Sequence, residues 1–191
     1  MPKYKYGEEV EYEFTLLNFS DKEKLQKFNC GNKKLNSFIH DEIIPNNEVI
    51  NEDGLMFKAE DKKTGNIIAI VSLAASGIIF TQTNYSKVLP AIKVDVFAVD
   101  KEYQKLHYNQ ETEEDKNPDN HYYLSDCIMG EVIQHCKLIS EEYALVNYIL
   151  LYADKKAYRF YKRNFFLEFE LYMEQENSME IKENIPMYMK L

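Results

Sequence analysis

The sequence has no tryptophan, and only six glycines, five prolines and three cysteines among 191 residues. Cys30, Cys127 and Cys136 are odd in number and lack metal-ligand spacing, which favours reduced thiols in a cytosolic protein over a disulfide framework. No run approaches the ~18 apolar residues that a membrane-spanning helix needs, and the first residues lack the apolar core of a signal peptide. We therefore expect a cytoplasmic protein that makes no membrane contact.

The charge and the size of the chain narrow the classes of partner. A hydrophobic content of 45% suits a single domain over residues 1–191. The net charge of −9 makes nucleic acid an unlikely partner, because affinity for phosphates comes from Lys and Arg, and it favours cationic substrates such as amines. The histidines have no spacing suited to a metal ion, so none is expected; they are His40, His107, His121 and His135. The sequence leaves a homodimer open.

The periodicity of the apolar residues predicts strands and helices in alternation. Strands are expected at 11–19, 55–61, 67–74, 92–100, 147–153, 165–173 and 186–191, and Gly65-Asn66 is expected to form the turn of a hairpin between 55–61 and 67–74. Helices are expected to start at the caps Ser20, Asn32 and Ser125, the last in a helical stretch over 124–140, and to cover 154–164. This order predicts an α/β (α+β) layer fold, whose mixed sheet has a parallel strand pair at its centre.

Two stretches between these elements are polar. The first, at 81–87, is expected to be a connection. The second, at about 104–123, is acidic in its middle and cannot bury enough apolar surface to join the core. It is interpreted as an insertion or a flap.

The junction from Asn147 to Phe166 resembles a known family. An apolar strand passes into a helix with the pattern A-x-x-F-Y, followed by a strand entry like N-G-F; the matching residues are Ala157, Phe160, Tyr161, Asn164 and Phe166. Phe165 stands where glycine is usual. The pattern resembles the acyl-CoA-dependent N-acetyltransferase (GNAT) superfamily, over roughly Phe14 to Phe169. Within it, F-N-C-G-N-K-K-L-N-S-F-I is similar to a segment of a subgroup that includes bacterial toxins acetylating aminoacyl-tRNA.

The resemblance implies a cofactor and an activity. It implies acetyl-CoA as acyl donor, bound by the backbone of Phe97, Ala98 and Val99 on a strand that splays from its parallel neighbour, and by Ala157 and Phe160. It implies transfer of an acetyl group to a primary amine, which is that of a small metabolite, an aminoacyl group or a peptide; a toxin-like enzyme acting on aminoacyl-tRNA is an alternative. It implies Tyr161 as the general acid and Tyr158 as an alternative. Periodicity alone favours ordinary core packing of the same residues.

The loop that would hold the pyrophosphate departs from the family pattern. Family members carry Q/R-x-x-G-x-G/A after the cleft strand, whereas this chain has Gln104 and then Lys105 to Tyr108 without glycine. In one arrangement the insertion loops out, and Gln104, Lys105 and amides near Leu124 and Ser125 hold the phosphates. Alternatively, the acidic residues of the insertion repel the cofactor; these are Glu111, Glu113, Glu114 and Asp115. The protein would then be a non-catalytic protein-binding module that acts through residues 109–120. The general base is not identified among the candidates Asp95, Asp100, Glu102 and His107.

Overall fold

The computed structural model of the chain describes residues 9–43, 50–51, 54–82, 85–108, 122–174 and 183–191. These residues divide into two compact units. The first comprises Met1–Ser72 and Val96–Met129, and the second comprises Leu73–Asp95 and Gly130–Leu191. Each unit thus combines separated stretches of sequence. The single-domain organisation expected from the sequence stays a prediction.

Nine strands and four α-helices are found in the described part of the chain. The strands are β1 (Tyr12–Leu16), β2 (Ile50–Asn51), β3 (Gly54–Asp61), β4 (Ile67–Gln82), β5 (Tyr85–Val99), β6 (Tyr148–Ala153), β7 (Leu167–Glu168), β8 (Met173–Glu174) and β9 (Ile185–Lys190). The helices are α1 (Lys22–Leu25), α2 (Lys33–Ser37), α3 (Leu124–Leu138) and α4 (Tyr158–Arg163). A 3₁₀ turn precedes α1, and wider π-type turns follow α2 and α3.

The first unit is built on the antiparallel pairing of β1 and β2 with β3, whose other neighbour is β4. The predicted turn between β3 and β4 is confirmed, with Gly65 at a φ of 70°. The buried Asp61 stabilises this turn, because its carboxylate accepts hydrogen bonds from the amides of Lys63 and Thr64. Apolar side chains of α1, α2 and the strands pack into one core cluster, which includes Leu25, Ile39 and Ile70.

The second unit contains the predicted parallel pair. Its strand order is β4–β5–β6–β9–β7, with β8 on β4. β6 pairs in parallel with β5 and antiparallel with β9. The expected mixed sheet with a parallel pair, flanked by helices, is therefore confirmed. Ile78, Ala91, Leu150 and Met173 form its core cluster.

Four details of the sequence prediction were wrong. The strand expected at 165–173 is two short strands, β7 on β9 and β8 on β4. The polar stretch at 81–87 belongs mostly to strands, because β4 runs to Gln82 and β5 starts at Tyr85. Residues 85–88 are all exposed, so the sequence there lacks the alternation of apolar and polar residues that predicts a strand. The first cap is Asn18 rather than Ser20: its carboxamide accepts from the Ser20 amide at 3.0 Å, and its own amide donates to Asp21. Ser125 lies inside α3, which starts one residue earlier. The cap at Asn32 is confirmed.

No helix in the described part of the chain has the length and apolar character needed to cross a bilayer.

A nearly buried ion-pair cluster joins the α1 region to β3. The Lys58 ammonium lies 2.5 Å from Asp21, which is 1% exposed, and 2.7 Å from Glu60. Lys24 pairs with the other oxygen of Glu60 at 2.6 Å but is more exposed. Burial alone would lower the pKa of Lys58, yet the hydrogen bonds to Asp21 and Glu60 outweigh burial and raise it. Lys58 thus neutralises a carboxylate that water cannot reach.

Replacing Lys58 should destabilise the first unit strongly. In Lys58→Met, the buried Asp21 carboxylate loses its ammonium partner, which we expect to cost about 3 kcal/mol of unfolding free energy. Urea denaturation of the purified variant measures this. The matched control is Lys24→Met, whose exposed pair should contribute less than about 1 kcal/mol. Equal losses in the two variants would contradict the assignment.

Candidate functional site

The parallel ladder between β5 and β6 is short. It joins Ala91, Ile92, Lys93 and Val94 to residues 148–151 and ends there. Both strands continue, β5 to Val99 and β6 to Ala153. The strand predicted to splay from its parallel neighbour therefore loses that neighbour immediately before the residues predicted to bind the cofactor.

Residues 97–99 have packed side chains. Ala98 and Val99 are buried members of core clusters, and Phe97 packs against the same cluster as Val99. Their side chains are thus committed to the first unit. If these three residues contact a ligand, they do so through backbone groups, as the resemblance implies.

The carboxylate of Asp100 fixes the F-N-C-G segment against the loop after β5. One oxygen accepts the Asn29 amide at 2.7 Å and the other accepts the Glu102 amide at 2.9 Å. The Lys101 amide returns a hydrogen bond to the Asn29 carbonyl at 2.9 Å. Because both oxygens of Asp100 hold backbone amides, this residue organises the loop and is a poor candidate for a general base. Sequence reasoning missed this role, since the partners lie 71 residues apart.

Gln104 reinforces the same junction. Its side-chain nitrogen donates to the carbonyls of Cys30 and Val99, both at 2.8 Å. Asn36 completes the segment by accepting the Cys30 amide at 3.0 Å and donating to the Asn29 side chain at 2.9 Å. The family-like glutamine therefore sets the shape of the loop, while its neighbour Lys105 is exposed.

The insertion is closed at its base. His107 pairs with Tyr123 as an antiparallel bridge, and its flanking hydrogen bonds join Tyr108 to Tyr122 at 2.6 Å and Leu124 to Leu106 at 3.0 Å. The chain thus leaves the loop after residue 108 and returns at 122, directly before α3. The acidic residues 109–121 lie outside the described residues.

The first turn of α3 uses most of its own amides. Leu124 donates to the Leu106 carbonyl, and Asp126 and Cys127 donate to the Tyr123 carbonyl. The carboxylate of Asp126, 1% exposed, accepts the Tyr123 amide at 3.0 Å. A helix N-terminus that already holds a carboxylate and has three amides engaged is a weak anion site. The loop offers two exposed ammonium groups, of Lys101 and Lys105, of which Lys105 lies nearer to α3 in sequence.

Tyr161, the predicted general acid, lies on α4 in the second unit. It is 8% exposed and its ring makes edge contacts with Phe160 at 5.1 Å and Phe166 at 5.9 Å. Burial, and then the negative charge of Asp154, raise the pKa of Tyr161 above its usual value. The phenol consequently stays protonated throughout the working pH range. Ala157 caps α4, and its carbonyl accepts the Tyr161 amide.

Tyr158, the alternative acid, is engaged elsewhere. Its hydroxyl donates to Glu168 at 2.5 Å and accepts from Lys162 at 3.3 Å. A hydroxyl held by a carboxylate is a poorer proton donor to a third group, so Tyr161 is the better candidate.

The predicted bases remain unassigned. Asp95 pairs with Lys93 at 2.9 Å, and the half-buried His107 ring contacts that of Tyr123 at a tilt of 42°, with ring centroids 4.6 Å apart. The thiol of Cys136 is no nucleophile, because burial raises its pKa to about 12. In the part of the chain that the structure describes, no group of three or more His, Cys, Asp or Glu side chains is placed to hold a metal ion.

Phe165 takes the backbone conformation that glycine usually supplies. Its φ is 68°, the only positive value at a non-glycine residue among those described. It follows the C-cap of α4, where the Phe166 amide bonds the Tyr161 carbonyl at 3.1 Å and the Phe165 amide bonds the Lys162 carbonyl at 3.2 Å. These two bonds define a Schellman motif, which needs a left-handed residue at this position. The sequence therefore lacks the family's glycine but keeps its geometry, with strain.

Replacing Phe165 with glycine should stabilise the protein. Phe165→Gly removes the side chain that disfavours the left-handed conformation, which we expect to add about 1 kcal/mol to the unfolding free energy. The side chain is 80% exposed, so little packing is lost. Urea denaturation measures the change. Phe165→Ala is the matched control, because it removes the ring and keeps the strain; an equal gain in both variants would contradict the explanation.

Comparison with known proteins gives a clear structural match. No protein-family model matches the chain, and no curated protein matches it in sequence. Among solved structures, a tyrosine-to-phenylalanine mutant of the toxin AtaT has a TM-score of 0.68 and 14% identity, covering 100% of this chain and 95% of that one. AtaTR bound with AcCoA gives 0.64 and 16%, covering 94% and 93%.

A third solved structure is AtaT complexed with acetyl-methionyl-tRNAfMet. Its TM-score is 0.66 at 16% identity, and the match covers 94% of this chain and 95% of that chain. At such identities a match establishes the arrangement of strands and helices and nothing finer. The chain therefore has the fold of the GNAT N-acetyltransferases.

Proposed function

We propose that the protein is an acetyl-CoA-dependent N-acetyltransferase that acts on a primary amine. The observation that carries the proposal is the early end of the β5–β6 ladder, at Val94 and Leu151, in a chain with the GNAT fold. The solved structure of AtaTR bound with AcCoA, which shares that fold, supports the choice of cofactor.

The residues of the first unit fit this cofactor in part. Beyond Val94, β5 runs on without β6 to Val99, and its backbone suits the amides of the pantetheine arm. The phosphates fit less well, because the amides of Leu124, Asp126 and Cys127 already donate hydrogen bonds to backbone carbonyls. Lys105 would then hold the pyrophosphate by charge, with Gln104 shaping the loop beneath it. Binding through one flexible ammonium is more sensitive to salt than binding through a nest of amides.

Acetyl-CoA, when bound, supplies the acetyl thioester for attack by the neutral amine. Tyr161 would give its hydroxyl proton to the departing thiolate as the carbon–sulfur bond breaks, and the proton that the amine loses on forming the amide bond would return to the tyrosinate through solvent. Its raised pKa keeps that proton in place up to high pH. Ala157 and Phe160 set the position of Tyr161. The Ala157 carbonyl accepts a hydrogen bond from the Tyr161 amide, and the Phe160 ring packs against the Tyr161 ring.

A non-catalytic protein-binding module is the rival from a different class. It requires that acetyl-CoA does not bind, because its working surface would be the acidic segment 109–120 rather than the loop. The insertion base at 106–108 and 122–124 brings the chain back to α3 after that segment, and Lys105 precedes it. This arrangement favours the enzyme, because it keeps the loop continuous with the helix.

The acceptor has a second candidate, the amino group of an aminoacyl-tRNA. Residues 22–34 contain five lysines and one glutamate, despite the net charge of −9. Lys24, Lys27 and Lys101 line a pocket of about 330 Å³ in the first unit. The F-N-C-G segment passes through the same residues and is similar to that of toxin-type members. AtaT, complexed with acetyl-methionyl-tRNAfMet, shares the fold. The expectation that nucleic acid is an unlikely partner, which followed from net charge, is therefore not supported.

Removing the Tyr161 hydroxyl should slow the reaction without unfolding the protein. We expect Tyr161→Phe to lower kcat by about a hundredfold, because the thiolate leaves without its acid. A thiol-release assay with a panel of primary amines measures this. Tyr158→Phe is the matched control and should change kcat less than threefold. Unchanged turnover in Tyr161→Phe would remove this residue from the mechanism.

The tRNA candidate predicts retardation that depends on the three lysines. At low salt, the wild-type protein should retard tRNA in a native gel, and the triple variant Lys24→Gln, Lys27→Gln, Lys101→Gln should do so only at about tenfold higher concentration. Lys87→Gln and Lys155→Gln, exposed lysines of the second unit, are the controls. If the wild-type protein does not retard tRNA, the acceptor is a small molecule or a peptide.

A further inference from the structure

The second unit contains an aromatic pocket to which the proposed acetyl transfer assigns no role. Its volume is about 720 Å³, and its rings are Phe80, Tyr148, Phe165, Tyr172 and Tyr188. This volume falls within the range of ligand sites, which is roughly 300–1,000 Å³. Ligand pockets of that size are lined by aromatic and apolar side chains with a few polar groups, as here.

The rings form a continuous wall. Phe80 stacks on Tyr172 with centroids 5.6 Å apart and planes 28° apart. Phe80 also contacts Tyr148 at 6.1 Å, and Tyr148 contacts Tyr188 at 6.1 Å. The wall is partly open to solvent, since Tyr172 is 48% exposed. Such a surface presents flat faces on which a planar ring can stack.

Phe165 contributes a ring to the pocket under strain. It is 80% exposed and holds the left-handed conformation in place of glycine. Neither property helps folding, because the exposed ring buries little and the backbone conformation is unfavourable for a side chain. Strain of this kind is kept most often where a ligand uses the residue. A stacking platform explains why a large aromatic stands at this position.

The charge of the pocket is opposite to that of the chain. Its lining includes Lys137 and Lys190 and, among the described residues, neither Asp nor Glu. The whole chain carries −9. Glu170 lies outside the lining, although its charge, after burial, contributes to raising the pKa of Tyr188. Two ammonium groups beside stacked rings suit a ligand that joins a planar ring to an anion.

We infer that the aromatic pocket binds a nucleotide, with its base stacked between Phe165 and the wall and its phosphate held by Lys137 and Lys190. A single-ring carboxylate would leave much of the 720 Å³ unfilled. The nucleotide is either free or the end of a nucleic-acid strand, since both offer one base and one phosphate. Stacking on aromatic side chains is the usual means by which proteins hold single nucleotides of a strand.

Calorimetric titration with AMP and with adenosine tests the pocket. AMP should bind, and adenosine should bind about tenfold more weakly because it lacks the phosphate. Phe165→Gly should weaken AMP binding about tenfold although it raises stability, so lost affinity cannot be attributed to unfolding. The double variant Lys137→Gln, Lys190→Gln should bind AMP and adenosine equally. Leu171→Ala, which removes an exposed apolar side chain outside the lining, should change neither affinity.

The source of the nucleotide is separated by a second titrant. A short single-stranded oligonucleotide that binds more tightly than AMP identifies a strand end, and one that binds equally or more weakly identifies a free nucleotide. Either result supports the pocket. Absence of binding by both AMP and the oligonucleotide overturns it.

CoA itself contains an adenine nucleotide, so AMP could bind at the proposed cofactor site instead. The variant Lys105→Gln distinguishes the two, since it should weaken acetyl-CoA binding and leave AMP binding unchanged. Phe165→Gly should do the reverse. If AMP affinity is unchanged in both Phe165→Gly and the lysine double variant, AMP binds outside the aromatic pocket. That result overturns the inference. The inference does not depend on the proposed acetyl transfer, and either one can fail alone.

Discussion

The parallel pairing of β5 with β6 stops after four residue pairs, and the proposed cofactor site depends on this early end. A full-length ladder would satisfy the backbone of 95–99 within the sheet, and no polar ligand arm could pair with it. The ladder ends at Val94 and Leu151, while β5 runs on beside β4 to Val99, with the side chains of Val96, Ala98 and Val99 buried. Its other neighbour and side-chain burial thus hold in place a strand that its parallel neighbour no longer supports.

The loop after β5 is organised by side chains rather than by glycine. Asp100 and Gln104 join it to the F-N-C-G segment through backbone groups, so its shape is fixed from outside. This arrangement replaces the conformational freedom of glycine by a network of hydrogen bonds. In the proposed enzyme, the phosphate would then be held mainly by the charge of Lys105. The buried carboxylate of Asp126 at the start of α3 opposes an anion there, so affinity should depend on the lysine.

Much of this fold could be predicted from the sequence. The helix cap at Asn32, the turn at Gly65 and the strand–helix junction around Tyr161 have strong local signals, and all three are found. The start of β5 was missed because residues 85–88 are exposed and carry no alternation. The roles of Asp100 and Gln104 were also missed, since their partners lie more than 70 residues away. The strain at Phe165 was signalled by the missing glycine, but only backbone geometry could show that the left-handed conformation is kept.

We propose that a loop without glycine serves as a cofactor site in this chain. Isothermal titration of the purified protein with acetyl-CoA, with CoA alone in parallel, tests this proposal. We expect binding in the micromolar range that weakens as salt is added. A folded protein that gives no heat with acetyl-CoA at millimolar concentration would contradict it and identify a fold that has lost catalysis.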